Sequence, residues 1–382
     1  MSAKKKPTLT CETTTLADAL TKAARVAPKA GPAFSSAAGL LLEINTNVDE
    51  PLVVKATDNE VTYRQRINAL DVNGEPITWR VPVLLAEIVT GMTGAEVTLN
   101  VDEKTGRLEV KSGRKKARLP LVTGGTFPVI NKFDPKLVAQ VDDLAHRIGQ
   151  VQWCTMKDLG TPCLAGINIT GTELRTTDRE KAVTVPCVMP VTQHITVPLT
   201  VVATMIGQLS ELKVGADEHH LLLMPDDDTQ ITSTIYSGDF PTVERIQRAD
   251  HSVIVTLSKA EVVAAIQAMQ SIAKEDKLPV LRLTFGDGVV GLYVSGGEIG
   301  ELEDEVSCEG NGEGFVLYVT PRNFLGAVTN AGVDRVTFSC GPLNKQTFTV
   351  SDDHGYRCDG MPRQVETKKG ATAPVKDEED AA

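Results

Sequence analysis

The residues best suited to chemistry in this chain are its carboxylates, histidines and cysteines. Asp226, Asp227 and Asp228 stand in a row and could bind Mg²⁺ through their oxygens, although an acidic turn between two strands is the commoner structure. The six histidines recur at no fixed spacing from Cys or Glu, and the seven cysteines form no CxxC pair. P-loop, GxGxxG and GxSxG motifs do not occur. The sequence therefore predicts no catalytic site, no cofactor and no metal, and we expect the protein not to be an enzyme.

Composition sets further bounds on what the chain can be. Its 382 residues predict two to four domains. The 41% hydrophobic content with only 4% aromatic residues predicts cores of Val, Leu, Ile and Ala. The net charge of −11 does not exclude nucleic acid, because a basic surface inside an acidic exterior gives the same total. Scattered cysteines, with neither a signal peptide nor a membrane-length apolar run, predict a cytoplasmic protein.

The secondary-structure elements that would position such residues recur three times along the chain. In each repeat a short strand runs into a proline that begins an apolar helix, and further strands lead to a second proline. The helix-starting prolines are Pro82, Pro198 and Pro321, and the closing prolines are Pro128, Pro241 and Pro362. Because both sets are almost evenly spaced, the chain is predicted to hold three copies of one domain.

A looser strand–helix–strands unit precedes each of these repeats. In the first, a threonine at 13–15 is the candidate N-cap of a helix whose apolar stripe includes Leu16 and Leu20. In the second, one helix is expected over residues 136–153. In the third, Ser258 and Glu261 form a capping box.

Six such units predict three domains, each with two helices and many antiparallel strands. Since helices do not alternate one to one with strands, the predicted fold class is α+β with helices and sheets in separate layers. The expected domains are residues 9–130, 131–248 and 249–365. Residues 1–8 are a basic leader, and the polar residues 366–382 are predicted to be a disordered tail.

Several stretches resemble the bacterial-type DNA polymerase sliding clamp, the β subunit of DNA polymerase III. They are RLEVKSGRKKARLPL with TFPVI, ELRTTDREKAVTV, SGDFPTVERI and DGMPRQV, in the family's order, and the likeness spans residues 9–365. It implies a DNA clamp fold and a head-to-tail homodimeric ring of six domains, with strands outside and helices lining the hole. The implied function is processivity: the ring encircles duplex DNA and tethers the polymerase. The divergence fits a phage or plasmid version.

The resemblance implies sequence-independent contacts between DNA phosphates and basic residues on the helices. The candidates are Lys22, Arg25, Lys29, Arg147, Lys259, Lys274 and Arg322. The chain departs from the family where basic residues usually follow Val-Pro, since these positions are Val83, Leu84, Leu199 and Thr200. A solvated helix face is the alternative for each candidate.

The resemblance also implies an apolar pocket for linear peptides of the polymerase and the clamp loader. The residues at matching positions are Leu164, Thr177, Lys181, Ala182, Pro241, Arg245, Ile246, Met361, Pro362 and Arg363. Ordinary packing at strand ends is the alternative for Pro241 and Met361. Asp359 and Gly360 stand where the family has apolar residues, which predicts an altered peptide preference.

The joint of the ring is implied at four positions. They are Ala117, Leu119, Ile272 and Ala273. Because two of these are small, charge is expected to contribute, with the basic stretch 114–118 facing Glu275 and Asp276.

Two other classes of function stay open at this point. One is a repeat-built scaffold or virion protein that never encircles DNA. The other is an enzyme with a metal site at residues 226–228.

Overall fold

Short runs of Val, Leu, Ile and Thr that alternate with polar residues form the strands of this chain. Strand β2 (Leu40–Ile44), for example, alternates buried and half-buried positions along its length, as a strand with one face on a core must. The structure, a computed structural model, describes residues 7–28, 36–45, 49–102, 104–135, 137–156, 160–199, 211–273, 279–296 and 300–365.

The chain forms two compact units. The first comprises Met1–Asp178 and Val183–Pro241, and the second comprises Arg179–Ala182 and Thr242–Ala382. The break after Pro241 lies close to the predicted end of the second domain. The first unit therefore contains the first two predicted domains, and the division of the chain into three stays a prediction.

The first unit is built mainly from strands. Besides β2 its strands are β1 (Thr8–Glu12), β3 (Leu52–Thr57), β4 (Val61–Ile67), β5 (Asp71–Asn73), β6 (Ile77–Val81), β7 (Glu96–Asp102), β8 (Arg107–Ser112), β9 (Lys115–Pro120), β10 (Val138–Asp142), β11 (Ile167–Ile169), β12 (Glu173–Thr177), β13 (Lys181–Pro186), β14 (Ile195–Val197), β15 (Glu211–Ala216), β16 (His220–Met224) and β17 (Thr229–Thr234). The first two residues of β13 belong to the second unit. The described helices of the first unit are α1 (Thr13–Val26), α2 (Leu84–Thr90), α3 (Leu144–Val151) and the single turn α4 (Pro162–Ala165).

These strands form antiparallel sheets. One has five strands in the order β5-β1-β7-β8-β9, and another has eight in the order β10-β15-β16-β17-β4-β3-β2-β6. Strands β14, β11, β12 and β13 follow one another in a third sheet. In the eight-stranded sheet β17 pairs with β4, with Ile231 opposite Tyr63. The first two predicted domains thus share one continuous sheet.

Helix α1 confirms the predicted apolar stripe but not its cap. Leu16 and Leu20 are fully buried. The helix begins at Thr13 itself, with Glu12 at the N-cap and no side-chain cap hydrogen bond, and the hydroxyl of Thr15 donates to Glu12 Oε2 at 3.1 Å. The prediction of a threonine N-cap is therefore wrong, because Thr13 is buried inside the first turn.

The helix expected over residues 136–153 is shorter than predicted. Its first part is strand β10, which pairs with β15, and α3 starts only at Leu144. Asp143 has φ of +54°, which is outside the helical region and separates strand from helix. Ala139 and Val141, which alternate with the exposed residues Val138, Gln140 and Asp142, were the strand signal that the helical interpretation overlooked.

The described residues of the second unit form eight further strands and two α-helices. The strands are β18 (Val253–Ser258), β19 (Leu281–Phe285), β20 (Val289–Ser295), β21 (Glu301–Asn311), β22 (Val316–Val319), β23 (Arg335–Cys340), β24 (Phe348–Ser351) and β25 (Arg357–Gly360), and the helices are α5 (Lys259–Ala273) and α6 (Pro321–Thr329). Their order in the sheet is β25-β24-β23-β18-β21-β20-β19-β22. Pro321 lies in the first turn of α6, as predicted. The helix predicted to begin at Pro198 falls largely on residues 200–210, which lie outside the described residues.

Of the two hydrogen bonds that the predicted capping box of α5 requires, the structure confirms one. The N–H of Glu261 donates to Ser258 Oγ at 3.4 Å, as the motif requires. The carboxylate of Glu261 accepts the N–H of Ser307 in β21 at 3.3 Å. This side chain therefore ties the first turn of α5 to the sheet.

The core of the second unit departs from the aliphatic cores expected from composition. It collects Phe285, Phe324, Phe338 and Phe348, four of the nine phenylalanines of the chain. The rings of Phe285 and Phe338 stack at 5.3 Å, and those of Phe338 and Phe348 stack at 5.7 Å. No helix among the described residues has the length and apolar character to cross a membrane.

Gly360 provides a test of this aromatic core. It lies opposite Phe348, and a Cβ at Gly360 would come 2.3 Å from Phe348 Cζ. We expect Gly360→Ala to lower the free energy of unfolding by about 1–3 kcal/mol, the usual range for overpacking. The measurement is urea unfolding followed by circular dichroism.

The matched control is Gly149→Ala, at a position in α3 where a Cβ would meet nothing within 4 Å. Because alanine is the better helix former, this variant should be as stable as the parent or more stable by about 1 kcal/mol. Equal stability of both variants would contradict the packing of β25 against Phe348.

Candidate functional site

The basic residues of the first helix lie where the apolar stripe predicts, away from the core. Lys22 is half-buried and forms an ion pair with Asp18, one helical turn earlier, at 2.7 Å. Arg25 is exposed in the last turn of α1. Lys29 lies outside the described residues. An exposed pair of this kind contributes little to stability, so Lys22 can exchange Asp18 for a phosphate at small cost.

The other DNA-contact candidates differ in how far their charges are already engaged. Arg147 on α3 donates to Gln150 Oε1 at 3.4 Å. The ammonium of Lys259 donates to the carbonyl of Ala331, after α6, at 2.8 Å. Arg322 is exposed in the first turn of α6, and Lys274 lies outside the described residues. Lys259 therefore has a structural contact, whereas Arg322 presents its charge to solvent.

The predicted departure at the start of α2 leaves an apolar side chain in water. Leu84, where the resemblance led us to expect a basic residue, is 50% exposed. Leu199 is fully buried, and Thr200 lies outside the described residues. These positions carry no positive charge for DNA.

Three of the predicted pocket residues belong to the first unit. Leu164 is buried in the single turn α4, and Thr177 is buried at the end of β12. Pro241 is exposed at the end of the unit. The other seven residues belong to the second unit.

Within the second unit the structure brings two groups of these residues together. The N–H of Met361 donates to the carbonyl of Glu180 at 2.9 Å, next to Lys181 and Ala182. The N–H of Arg363 donates to the carbonyl of Tyr318 in β22 at 2.7 Å. Residues 361–363 therefore run between the 179–182 turn and β22.

The side chains of this group differ in exposure. Lys181 and Ala182 are buried, whereas Met361 is 46% exposed. Arg245 is exposed in a 3-10 turn. The carbonyl of Ile246 accepts the hydroxyl of Thr347 at 3.0 Å, which fixes the segment that carries both residues. The exposed Met361 with the half-buried Arg363 two residues later suits a peptide with apolar and polar ends.

The two departures before Met361 have packing roles. Asp359 is 1% exposed. Its carboxylate accepts hydrogen bonds from Nε and Nη2 of Arg357 at 2.8 Å each and from the hydroxyl of Thr349 at 2.7 Å. Gly360 makes room for the ring of Phe348. Both residues therefore serve the interior of the second unit.

The predicted joint residues of the first unit lie on the last strand of a sheet. Strand β9 ends the five-stranded sheet, with buried Leu119 opposite Leu108. Ala117 is half-buried on the same face, and Lys116 and Arg118 point to the opposite, exposed face. Arg118 pairs with Glu109 at 2.8 Å.

The predicted joint residues of the second unit lie at the end of α5. Ile272 is half-buried against Gly296, where a Cβ would come 2.9 Å from Ile272 Cγ2. Ala273 is the last residue of α5, and its side chain lies outside the description. Glu275 and Asp276, the predicted acidic partners, lie outside the described residues.

The sequence interpretation missed the acidic strand β21. Along residues 301–307 β21 pairs with β20, and the described chain places no strand on its other side there. Glu301, Glu303 and Glu305 alternate along it and are all exposed. The period-two spacing of acids in ELEDEVS was the available signal.

The three consecutive aspartates are engaged by different partners. Asp228 accepts Nε of Arg66 at 2.6 Å, and Asp227 pairs with Lys213 at 2.7 Å. Asp226 accepts the hydroxyl of Thr229 at 3.1 Å. The Lys213 ammonium lowers the pKa of Asp227 from its usual value. These protein partners fit the acidic-turn interpretation. Among the described residues no group of three or more acidic, histidine or cysteine side chains could hold a metal ion.

Comparisons with known proteins agree with the geometry. No protein-family model matches the chain. The chain is 23% identical to the beta sliding clamp of Caulobacter vibrioides over 304 residues, which covers 74% of this chain and 80% of the relative.

Solved structures of sliding clamps superimpose along nearly the whole chain. The DNA polymerase III β subunit of Thermotoga maritima aligns with a TM-score of 0.83 at 18% identity, covering 94% of this chain and 100% of its own. The Pseudomonas aeruginosa sliding clamp bound to griselimycin aligns with a TM-score of 0.82 at 20% identity over the same shares. The predicted α+β clamp fold and the resemblance to the DNA polymerase III β subunit are therefore confirmed.

Proposed function

We propose that this protein is a DNA sliding clamp, a processivity factor that encircles duplex DNA and tethers the replicative polymerase and other replication proteins. The observation that carries the proposal is the clamp fold, which extends over both units rather than over one domain. Since a clamp acts by enclosing DNA, it needs no catalytic residues of its own. DNA replication in the cytoplasm, in a bacterial or phage setting, is the context that fits.

The DNA contacts would be weak and sequence-independent. Arg25 and Arg322, on two different helices, offer exposed guanidinium groups, and Lys22 has only an exposed partner. Such side chains exchange one phosphate for the next without reading base edges, as sliding requires. The apolar start of α2 supports a hole that holds DNA loosely.

The ring joint would be formed by β9 of one copy and β21 of a second copy. Among the described residues β9 lacks a neighbour on one side, and so does β21 along residues 301–307, so main-chain hydrogen bonds could join them into a continuous sheet. Such a head-to-tail contact uses two different surfaces and closes into a ring when the rotation allows.

Charge supports this pairing. The exposed face of β9 carries Lys116 and Arg118, and the exposed face of β21 carries Glu303 and Glu305. Like-charged edges of two β9 strands or two β21 strands would repel each other, so the arrangement favours β9 with β21 over either self-pairing. Individual exposed ion pairs contribute about 0–1 kcal/mol, and several together favour the heterologous contact.

The polymerase and the clamp loader would bind through linear peptides at Met361. Its side chain is 46% exposed while its backbone is held to Glu180, which gives a fixed apolar contact at the surface. Arg245 and Arg363 offer cationic groups for the polar end of a peptide. The buried Asp359 contributes by holding β25 in place, not by contacting the peptide.

A charge-reversal series tests the joint. We expect Lys116→Glu with Arg118→Glu to weaken dimer formation roughly tenfold or more, because glutamates would then face glutamates across the joint. The reciprocal pair, Glu303→Lys with Glu305→Lys, should have the same effect. All four substitutions in one chain should restore the dimer, measured as light-scattering mass over a concentration series.

The control for the joint is Lys22→Glu with Arg25→Glu, which makes the same change of charge on α1. Its mass should equal that of the parent. If the variant with all four substitutions dimerises as weakly as either double variant, pairing between β9 and β21 is contradicted.

Alanine at Met361 and Arg363 tests the peptide site. We expect the variant to lose most of its stimulation of the cognate polymerase, because the apolar anchor and a cationic group are removed together. Its light-scattering mass should be unchanged. Full stimulation by this variant would show that the polymerase docks elsewhere.

A further inference from the structure

We propose that residues 130–133, where the first predicted domain passes into the second, form a taut tie across the seam between β4 and β17 and limit how far the two domains can bend about it. The tie lies wholly within the first unit. It is a conformational device beyond the proposed clamp function, and it can be refuted while that function stands.

A single row of side chains crosses the sheet beneath the connecting segment. Arg80 and Lys55 both lie opposite Leu41, and Lys55 and Gln230 both lie opposite Arg64. Directly opposed residues of paired strands share one face of a sheet. The row therefore runs along one face over five neighbouring strands, in the order β6-β2-β3-β4-β17.

Two cationic members of this row hold carbonyls of the connecting segment. Arg80 Nη1 donates to the carbonyl of Gly124 at 2.6 Å and to that of Gly125 at 3.3 Å. Lys55 Nζ donates to the carbonyl of Ile130 at 2.8 Å. The segment is thus anchored above β6 and again above β3.

The third anchor, Gln230 on β17, holds the segment at two points. Its side-chain amide donates to the carbonyl of Phe133 at 2.9 Å and accepts the N–H of the same residue at 3.1 Å. Gln230 and Lys55 are each 7% exposed. Because a buried donor that loses its acceptor stays unpaired, both anchors are costly to release.

The length of chain between these two anchors makes this part of the segment taut. Lys55 and Gln230 stand two strand spacings apart in the row, which is about 10 Å. Residues 130 and 133 are three steps apart along the chain, and three steps reach about 10–11 Å when fully extended. The chain between the anchors is therefore close to its full extension.

The preceding part of the segment has slack. Arg80 and Lys55 are also two strand spacings apart, about 10 Å. Residues 125 and 130 are five steps apart along the chain, and five steps reach about 17 Å. This part can follow a bending sheet, so the limit on bending comes from residues 130–133.

The tie spans the pairing that joins the two predicted domains. Arg64 on β4 lies between the two anchors in the row and is 8% exposed. Main-chain hydrogen bonds hold β4 and β17 edge to edge, and the tie adds a second constraint on one face. A bend that lengthens this face has to break an anchor.

Apolar packing does not hold the tie along its length. Ile130 is buried, but Val129 before it is 83% exposed. Asn131 and Lys132, which lie between the anchors, are both exposed. The hydrogen bonds from Lys55 and Gln230 are therefore what keeps this stretch on the sheet.

Two nitroxide labels measure the bend. They are attached after Glu87→Cys on α2 and Glu218→Cys in the turn after β15, two exposed positions in the first and second predicted domains. Cys308→Ser removes the half-buried native cysteine from the same chain. Double electron–electron resonance should give one narrow distribution of label–label distances for this parent.

Two glycines inserted between Asn131 and Lys132 slacken the tie while every anchor residue is kept. Two residues add up to about 7 Å of chain, so the distance distribution should widen by up to that amount. The matched control is the same insertion between Pro128 and Val129, in the slack part, which should leave the distribution as in the parent. Equal widths for the two insertions would overturn the proposal.

Anchor variants test the tie without changing the length of the chain. Gln230→Leu removes both hydrogen bonds to Phe133, and Lys55→Met removes the ammonium that holds Ile130, so each should widen the distribution. The control is Glu43→Gln, which removes the ion pair with Lys55 at 2.7 Å but keeps the ammonium.

Distributions as narrow as that of the parent in both anchor variants would refute the tie. Equal widening in the Glu43→Gln control would refute it as well, because the ion pair and not the hold on residue 130 would then set the bend. Circular dichroism checks that each variant is folded. Light-scattering mass and DNA binding report the clamp function separately.

Discussion

The pairing of β17 with β4 is the interaction on which the first unit depends. Residues 229–233 lie opposite residues 61–65, so that two repeats far apart in sequence share one sheet. Two polar contacts reinforce the seam: Arg66 with Asp228, and the hydroxyl of Tyr236 with Glu60 at 3.0 Å. Within the first predicted domain the buried ammonium of Lys55 donates to the carbonyl of Ile130 at 2.8 Å. Main-chain pairing across the boundary fixes the angle between the repeats, which a ring must control if it is to close.

The same seam explains residues that looked like chemistry in the sequence. The acidic stretch 226–228 could have been a metal site, but its carboxylates hold Arg66, Lys213 and Thr229. Asp359 in the second unit is a similar case, since its buried carboxylate holds the half-buried Arg357. In both places charged residues stabilise a strand arrangement, and we assign them no contact with DNA or a partner.

The fold class was predictable because it rests on periodic features that recur in the sequence. Apolar stripes such as Leu16 and Leu20, and the proline at the start of α6, each follow from local rules that the tertiary structure keeps. The strand β10 was mistaken for a helix because Val and Ala fit either element, and only the left-handed backbone at Asp143 separates them. The prediction of a threonine N-cap for α1 was wrong because Thr13 is buried in the first turn, although threonine favours the N-cap position.

The features that could not be predicted depend on which strands become neighbours. The acidic edge of β21 can be recognised only when the order of the strands in the sheet is known. Gly360 likewise reads as an unexplained departure until Phe348 is placed opposite it. Local sequence does not encode these neighbours, because they come from residues that are distant along the chain.

Negative-stain electron microscopy of the purified protein, with light-scattering mass on the same sample, tests the central claim most directly. A sliding clamp built from two copies should give a six-lobed ring with a central hole at twice the mass of the 382-residue chain. A filament, a shell fragment or any other assembly without a hole that could enclose duplex DNA, both alone and with DNA present, would contradict the account.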